Sequence, residues 1–374
     1  MAGIYIHIPF CKQACHYCDF HFSTQLKHRQ AMTEAICQEL ELRKDELKGS
    51  VETIYFGGGT PSMLSDEQLL DILQTVYRLF EVDPKAEVTL EANPDDLDEV
   101  RMLAFKELGI NRLSVGVQSF FQEDLEQMNR AHSATEAKQV LQLLSEHYDN
   151  YTLDLIYGLP GMSLERWKEN LKRMIQFEPP HFSAYALTVE PGTALQYFIA
   201  SGKMPDVSEE ESYGHYRYLL EFAEQHGYHN YEFSNFGMPG YYSRNNMAYW
   251  DGKPYLGVGP GAHSYDGRLR SWNVSNNPKY IKAIEVGQLP IEREELSLAD
   301  RYNEYVMTRL RTMWGIDPGM VQELFGESYR AHLLKVADPL LAGGKLVEQQ
   351  GNWVIPPTYK FLSDGIASAL FYTQ

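Results

Sequence analysis

The chain has 374 residues, 33 Lys and Arg against 51 Asp and Glu, and a formal net charge of -18. The length suggests two domains or one large barrel with an appendage, and the acidic balance argues against binding nucleic-acid backbones, an affinity that depends on clustered Lys and Arg. No stretch approaches the roughly 18 apolar residues of a membrane span, and residues 1–10, MAGIYIHIPF, lack the charged start and cleavage site of a signal peptide, so the expectation is a cytosolic protein. Its 25 Tyr, 17 Phe and 5 Trp would suit a large planar ligand, but an ordinary core accounts for them first.

In chain order, short apolar and β-branched runs at 4–8, 53–56, 87–90, 112–117, 151–156 and 181–187 alternate with helical patterns. The segment 66–80 is typical, with Leu69, Leu70, Leu73, Val76, Tyr77 and Phe80 at the three-to-four spacing of a helix with one buried face. Six such units predict an α/β fold, a partial (β/α)6 TIM-like barrel whose functional residues come from the C-terminal ends of its strands. Gly57 to Pro61, Glu91-Ala92-Asn93-Pro94, Gln118-Ser119 and Gly158-Leu159-Pro160-Gly161 all follow directly on predicted strands.

After Pro191-Gly192 the pattern changes to a helix over 209–224, a strand at 231–233 and a Gly-, Asn- and Tyr-rich stretch from 237 to 265 that fits no single class. Ser297-Leu298-Ala299-Asp300 then resembles a capping box that starts a helix running to Met313. Two short strands around Gln350-Gly351 complete a winged-helix-like α+β module. Its eight acidic and seven basic residues favour a structural or substrate-covering role over reading DNA. The expected division is a barrel over 1–195, an extension over 196–295 and the C-terminal module over 296–374.

Three of the four cysteines, Cys11, Cys15 and Cys18, fall within eight residues after the first strand, while Cys37 stands alone in a predicted helix. This is a metal-site spacing rather than a disulfide framework. Thiolates are the ligands of iron–sulfur clusters, and three of them leave one iron of a cubane with an open position. There the amino and carboxylate groups of S-adenosylmethionine can chelate, and one electron can cleave its sulfonium bond. A structural zinc site with His16 or His21 as fourth ligand is the plainer alternative, but it leaves the strand-end motifs unexplained.

The run Tyr5-Ile6-His7-Ile8-Pro9-Phe10-Cys11, the cysteine spacing and Gly57 to Pro61 resemble the radical S-adenosylmethionine superfamily. More narrowly they resemble the family of oxygen-independent coproporphyrinogen III dehydrogenase (HemN-like) with its heme-chaperone, HemW-like branch, over nearly the whole chain. The resemblance implies a 4Fe-4S cluster on Cys11, Cys15 and Cys18, with Tyr5 and Tyr17 beside it. It places the methionine ammonium at the backbone of Gly58, Gly59 and Thr60, pictured as an open strand edge. Glu91, Gln118 and Asp154 would contact the cosubstrate's sugar and amino groups, Arg130 its carboxylate, and Ala186 and His263 its adenine or a second cosubstrate. It further implies a heme or porphyrin ligand, a recipient hemoprotein, a reductant such as flavodoxin or ferredoxin, a homodimer as one assembly, and membrane contact only through a protein partner.

Two features separate the branches. The dehydrogenase carries a further cysteine two residues after the third, where this chain has Phe20, and a longer arm ahead of its first strand, which here begins at Ile4. Both favour a heme chaperone over a dehydrogenase or another 5′-deoxyadenosyl-radical enzyme. One position departs from the branch: its His-Asn-x-x-Tyr-Trp reads Asn245-Asn246-Met247-Ala248-Tyr249-Trp250 here. A carboxamide is a poor heme ligand, so His215, His229, His263 and Cys37 are the substitutes to consider.

Overall fold

A computed structural model of the chain describes residues 2–373. Strands β1 (Ala2–Ile8), β2 (Val51–Gly58), β3 (Val82–Ala92), β4 (Arg112–Gln118), β5 (Tyr151–Tyr157) and β6 (His181–Ala186) pair in parallel in that order. They are the six expected strands, and they form the partial barrel. Because successive strand residues face opposite ways, Ile4, Ile6, Ile54, Phe56, Leu90 and Val115 pack outward against the helices. Tyr5, Tyr55, Glu91, Ser114 and Asp154 occupy the alternate positions and line the inner face. Serine caps fix where the helices start: Ser65 and Ser133 form capping boxes with Gln68 and Glu136.

The sheet is larger than the sequence suggested. β7 (His229–Glu232) and β8 (Asn235–Gly237) add antiparallel beyond β6. On the far side β9 (Tyr255–Val258) pairs in parallel with β1 and leads into β10 (His263–Tyr265), β11 (Leu269–Asn273) and β12 (Ile291–Glu295), giving twelve strands. These added strands are only three to five residues long and carry little alternation, which is why the stretch 237–265 resisted classification.

A buried ion pair fastens this extension to the barrel. Glu39 and Arg43, at the end of the helix Arg29–Leu42, are 0% and 1% exposed. Glu39 accepts from the Arg43 guanidinium at 2.9 Å, Asn273 Nδ2 at 2.8 Å, the Gly259 amide at 2.9 Å and the Tyr280 hydroxyl at 2.5 Å. Arg43 donates further to the Gly257 carbonyl, the Ser264 hydroxyl and Glu46. A buried carboxylate and guanidinium are tolerated because their hydrogen-bonding capacity is used in full.

The C-terminal module has its own core around Tyr302, Leu310, Val321, Leu333 and Trp353. Ser297 and Asp300 form the expected capping box on the helix Leu298–Leu310. The helices Pro318–Phe325 and Glu327–Ala342 follow, then a hairpin of β13 (Val347–Gln349) and β14 (Asn352–Val354). Gln350 and Gly351 both adopt positive φ at its turn, as a two-residue hairpin loop requires. Lys360 and Phe361 anchor the module on the barrel, at Asn230 and against Tyr213 and Tyr216. No described helix is long and apolar enough to cross a membrane.

Candidate functional site

The cysteine loop leaves β1 over the C-terminal ends of the strands and is held on two sides. The Cys11 amide donates to the Ser23 carbonyl at 3.1 Å and the Ser23 amide to Pro9 at 2.9 Å, closing the loop at its base. From the end of the helix Gln122–Gln127, residues 127–130 reach into it. His16 Nδ1–H donates to the Gln127 carbonyl at 2.9 Å and the His16 amide to Met128 at 3.1 Å. Asn129, in a left-handed conformation at φ 57, accepts from Gln13 and donates to the Ala14 carbonyl, each at 2.7 Å. A non-glycine residue held in that region marks a place over-determined by its surroundings.

The Cys11, Cys15 and Cys18 thiols are partly exposed and unbridged. Thr60 donates its hydroxyl to Cys11 Sγ at 3.6 Å, and Arg130 Nη1 donates to Cys15 Sγ at 3.4 Å. Burial, reinforced by repulsion between neighbouring thiolates, raises the Cys11 thiol and pushes Cys18 up to about 11. Three unbridged, partly exposed thiols in one short loop are the donor set an iron–sulfur cluster takes. His16 and His21 are committed elsewhere: His16 stands edge-on to Phe198 at 4.9 Å, and His21 Nε2 bonds Asn277 Oδ1 at 2.7 Å. That engagement counts against the zinc alternative.

Beside the loop, the ladder of β2 with β3 runs through Phe56 and Leu90, whereas that with β1 continues to Ile8 and Gly58. The strand is therefore flanked on both sides rather than an edge; the open side expected at Gly58, Gly59 and Thr60 is local to the end of β2. The Gly59 and Thr60 amides donate to Ile8 and Phe10 at 2.9 and 2.7 Å. A side chain at Gly59 would put its Cβ within 2.6 Å of the Phe10 carbonyl, and Gly58 sits at φ 106 with the His7 ring where a Cβ would be. Only glycine lets the strand end lie this close to the loop.

Glu91 lies on the inner face and accepts from the Tyr55 hydroxyl at 2.7 Å; burial raises its carboxyl to about 7. Asp154, held by Ser114 at 3.2 Å, is raised by the same cause. Gln118 ends β4 at φ 65, its Oε1 buried without a partner. Arg130 donates to Asn93 Oδ1 at 2.5 Å and to the Gly116 carbonyl at 3.0 Å, while its Nε is buried and unpartnered. Tyr17 packs beside that guanidinium, and burial raises its hydroxyl. The Tyr5 hydroxyl bonds His7 Nδ1 at 3.2 Å, and His7 Nε2–H donates to the His21 carbonyl at 2.9 Å. Ala186 ends β6.

His263 is exposed at the start of β10, with its ring stacked on Trp272 at 5.9 Å. Asn245 is at the opposite end of the barrel. It is 4% exposed, its amide donates to Glu87, and its side chain accepts from Thr53 near the start of β2. Of the substitutes, His215 is buried and Cys37 half-buried, whereas His229 is exposed. Sequence reasoning missed Asn93, Asn129 and His7. Asn93 lies within a strand-end motif, and His7 within the run that leads to Cys11, so position alone could have flagged both.

A three-cysteine loop over the mouth of a partial β/α barrel, beside a glycine-bared strand end, defines a radical S-adenosylmethionine protein, with a 4Fe-4S cluster and S-adenosylmethionine as its cofactors. The profile of the Radical SAM superfamily matches residues 5–174, and that of the HemN C-terminal domain residues 296–358. "Heme chaperone HemW" of Bacillus subtilis is 34% identical over 337 residues, 88% of either chain. The protein of that name from Mycobacterium tuberculosis (strain H37Rv) is 32% identical over 98% of this chain and 94% of its own. The solved structure of coproporphyrinogen III oxidase (HemN) from Escherichia coli superposes with a TM-score of 0.86 over 99% of this chain and 90% of its own, at 23% identity, a likeness of fold. The chain belongs to the heme chaperone HemW family.

Proposed function

We propose that this chain is a heme chaperone, binding heme and passing it to a hemoprotein. The observation that carries this reading is the match, over nearly the full length of both chains, to relatives named for that activity. Phe20, exposed where the dehydrogenase branch has a further cysteine, supports it. Cys11, Cys15 and Cys18 hold the cluster. The carbonyls of Gly58, Gly59 and Thr60 receive the ammonium of S-adenosylmethionine, and Arg130, through its unpartnered Nε, its carboxylate. Glu91, Gln118 and Asp154 line the sugar side, and Tyr5, Tyr17 and Ala186 enclose it. When bound, the cluster supplies one-electron chemistry to the sulfonium; the residues around it fix orientation and limit water.

Asn245 is turned into the barrel floor, so the heme ligand is sought among exposed imidazoles. His263 is the first choice, since it faces outward on the extension beside Trp272, and His229 is the second. The reading also carries a recipient hemoprotein, a flavodoxin- or ferredoxin-like reductant, a cytoplasmic location, a homodimer, and the division at 195/196 and 295/296. The test is an anaerobic heme titration of cluster-reconstituted protein followed in the Soret band. Saturable binding that weakens in His263→Ala or His229→Ala supports the proposal. No saturable binding, together with product from coproporphyrinogen III under reducing conditions, would replace it with the dehydrogenase reading.

A further inference from the structure

Two of the three cluster cysteines are joined by a continuous chain of side-chain hydrogen bonds. Thr60 Oγ1 donates to Cys11 Sγ at 3.6 Å, Asn93 Nδ2 donates to Thr60 Oγ1 at 3.2 Å, Arg130 Nη2 donates to Asn93 Oδ1 at 2.5 Å, and Arg130 Nη1 donates to Cys15 Sγ at 3.4 Å. Asn93 is the centre of this arc and stands just beyond the end of β3, between the two donors.

A hydroxyl carries one hydrogen and two lone pairs, and the hydrogen is best directed onto Cys11 when a neighbouring group donates to the Thr60 oxygen and does not compete for that hydrogen. The Asn93 amide does so. The same carboxamide presents its oxygen to Arg130, holding the guanidinium level with Cys15 while the Gly116 carbonyl takes a second bond at 3.0 Å. A carboxylate at position 93 would reverse the arc: with no N–H to give, it would take the Thr60 hydrogen for itself and draw Arg130 by charge. Only a group that donates at one end and accepts at the other serves both sulfurs.

We propose that Asn93 is a positioning residue that directs hydrogen bonds from Thr60 and Arg130 onto the Cys11 and Cys15 sulfurs and thereby raises the reduction potential of the cluster they hold. Hydrogen bonds to ligand sulfurs stabilise the more negative, reduced state. This rests on the reading that the three cysteines hold the cluster. The arc, with the Arg130 guanidinium at one end, makes the cluster easier to reduce.

The test is the midpoint potential of reconstituted protein, from a reductive titration followed by electron paramagnetic resonance, with iron and sulfide assayed in each sample. Asn93→Asp is expected to lower the reduced fraction at fixed potential about tenfold, equivalent to about 59 mV for one electron. Thr60→Val is expected to lower it less, and Thr60→Ser to leave it near wild type. An added negative charge acting alone would lower the potential equally with or without the Thr60 hydroxyl. The arc requires the fall in Asn93→Asp/Thr60→Val to be smaller than the sum of the two single falls. Full additivity, or an unmoved potential in Asn93→Asp with normal iron content, overturns the proposal. If Asn93→Asp does not fold, the Thr60 pair decides: equal potentials for Val and Ser overturn the proposal, and a lower one for Val alone supports it. Wild-type protein that takes up no iron would instead overturn the cysteine assignment.

Discussion

Arg43 is a fully buried guanidinium and Arg130 a half-buried one, and they differ in how completely the fold uses them. Arg43 spends its donors on Glu39, Glu46, Ser264 and the Gly257 carbonyl, and its partner Glu39 is equally occupied. Arg130 bonds a sulfur, a carboxamide and a carbonyl, and leaves Nε buried without a partner. Beside it Gln118 Oε1 is likewise unpartnered in a left-handed residue. The charged groups of a structural cluster close on one another, because a buried charge left without partners costs stability; in the Arg43 clamp only the neutral Asn273 Oδ1 is left over. A binding site keeps such atoms for its ligand.

This difference can be tested from the largest effect downward. Arg43→Met leaves Glu39 buried without its cation and is expected to cost about 3–5 kcal/mol of stability by urea unfolding, with S-adenosylmethionine affinity of the folded fraction unchanged. A loss under about 1 kcal/mol would remove the structural role given to the clamp. Arg130→Met is expected to cost about 1–3 kcal/mol, from the acceptors it abandons, but to raise the dissociation constant for S-adenosylmethionine at least about tenfold, roughly 1.4 kcal/mol, by calorimetry. Equal affinity in both variants would erase the distinction between the two arginines.

The smallest effect concerns pH. Glu91 has its folded-state carboxyl raised to about 7 by burial against an ordinary 4.5, so the folded chain holds this proton more tightly than the unfolded one. Its contribution to stability is complete below about pH 4.5 and is lost as pH rises through 7. Melting temperatures measured over that window should fall less in Glu91→Gln than in wild type. Parallel curves would show that Glu91 carries no such proton.

The sequence placed all six barrel strands and the cysteine loop, because each strand is an apolar run ended by glycine, proline or a polar residue and the Cys11 spacing is specific. It described poorly what depends on distant partners. β9 to β12 are short and glycine-broken, and their stability comes from Glu39 and Arg43, more than 200 positions away. Asn245 could be compared with a histidine in sequence, but its burial beside Thr53 and Glu87 is visible only once β2 and β3 stand beside the helix Arg244–Trp250. Asn93 gives no signal through its type; its meaning comes from the two donors it separates.

The place of β1 in the sheet has a consequence for how the chain is made. β1 is made well before β9, yet one of its flanks is completed only by that strand, after residue 258 has been synthesised. The Glu39 hydrogen bonds that fasten the extension beside it span 220 and 241 residues. During synthesis at about 5–20 residues per second, the strand that carries the cysteine loop waits on the order of ten seconds or more with one edge unpaired. An unpaired edge is where another chain can add. Production of this protein should therefore be more sensitive to crowding of nascent chains than the finished fold would suggest.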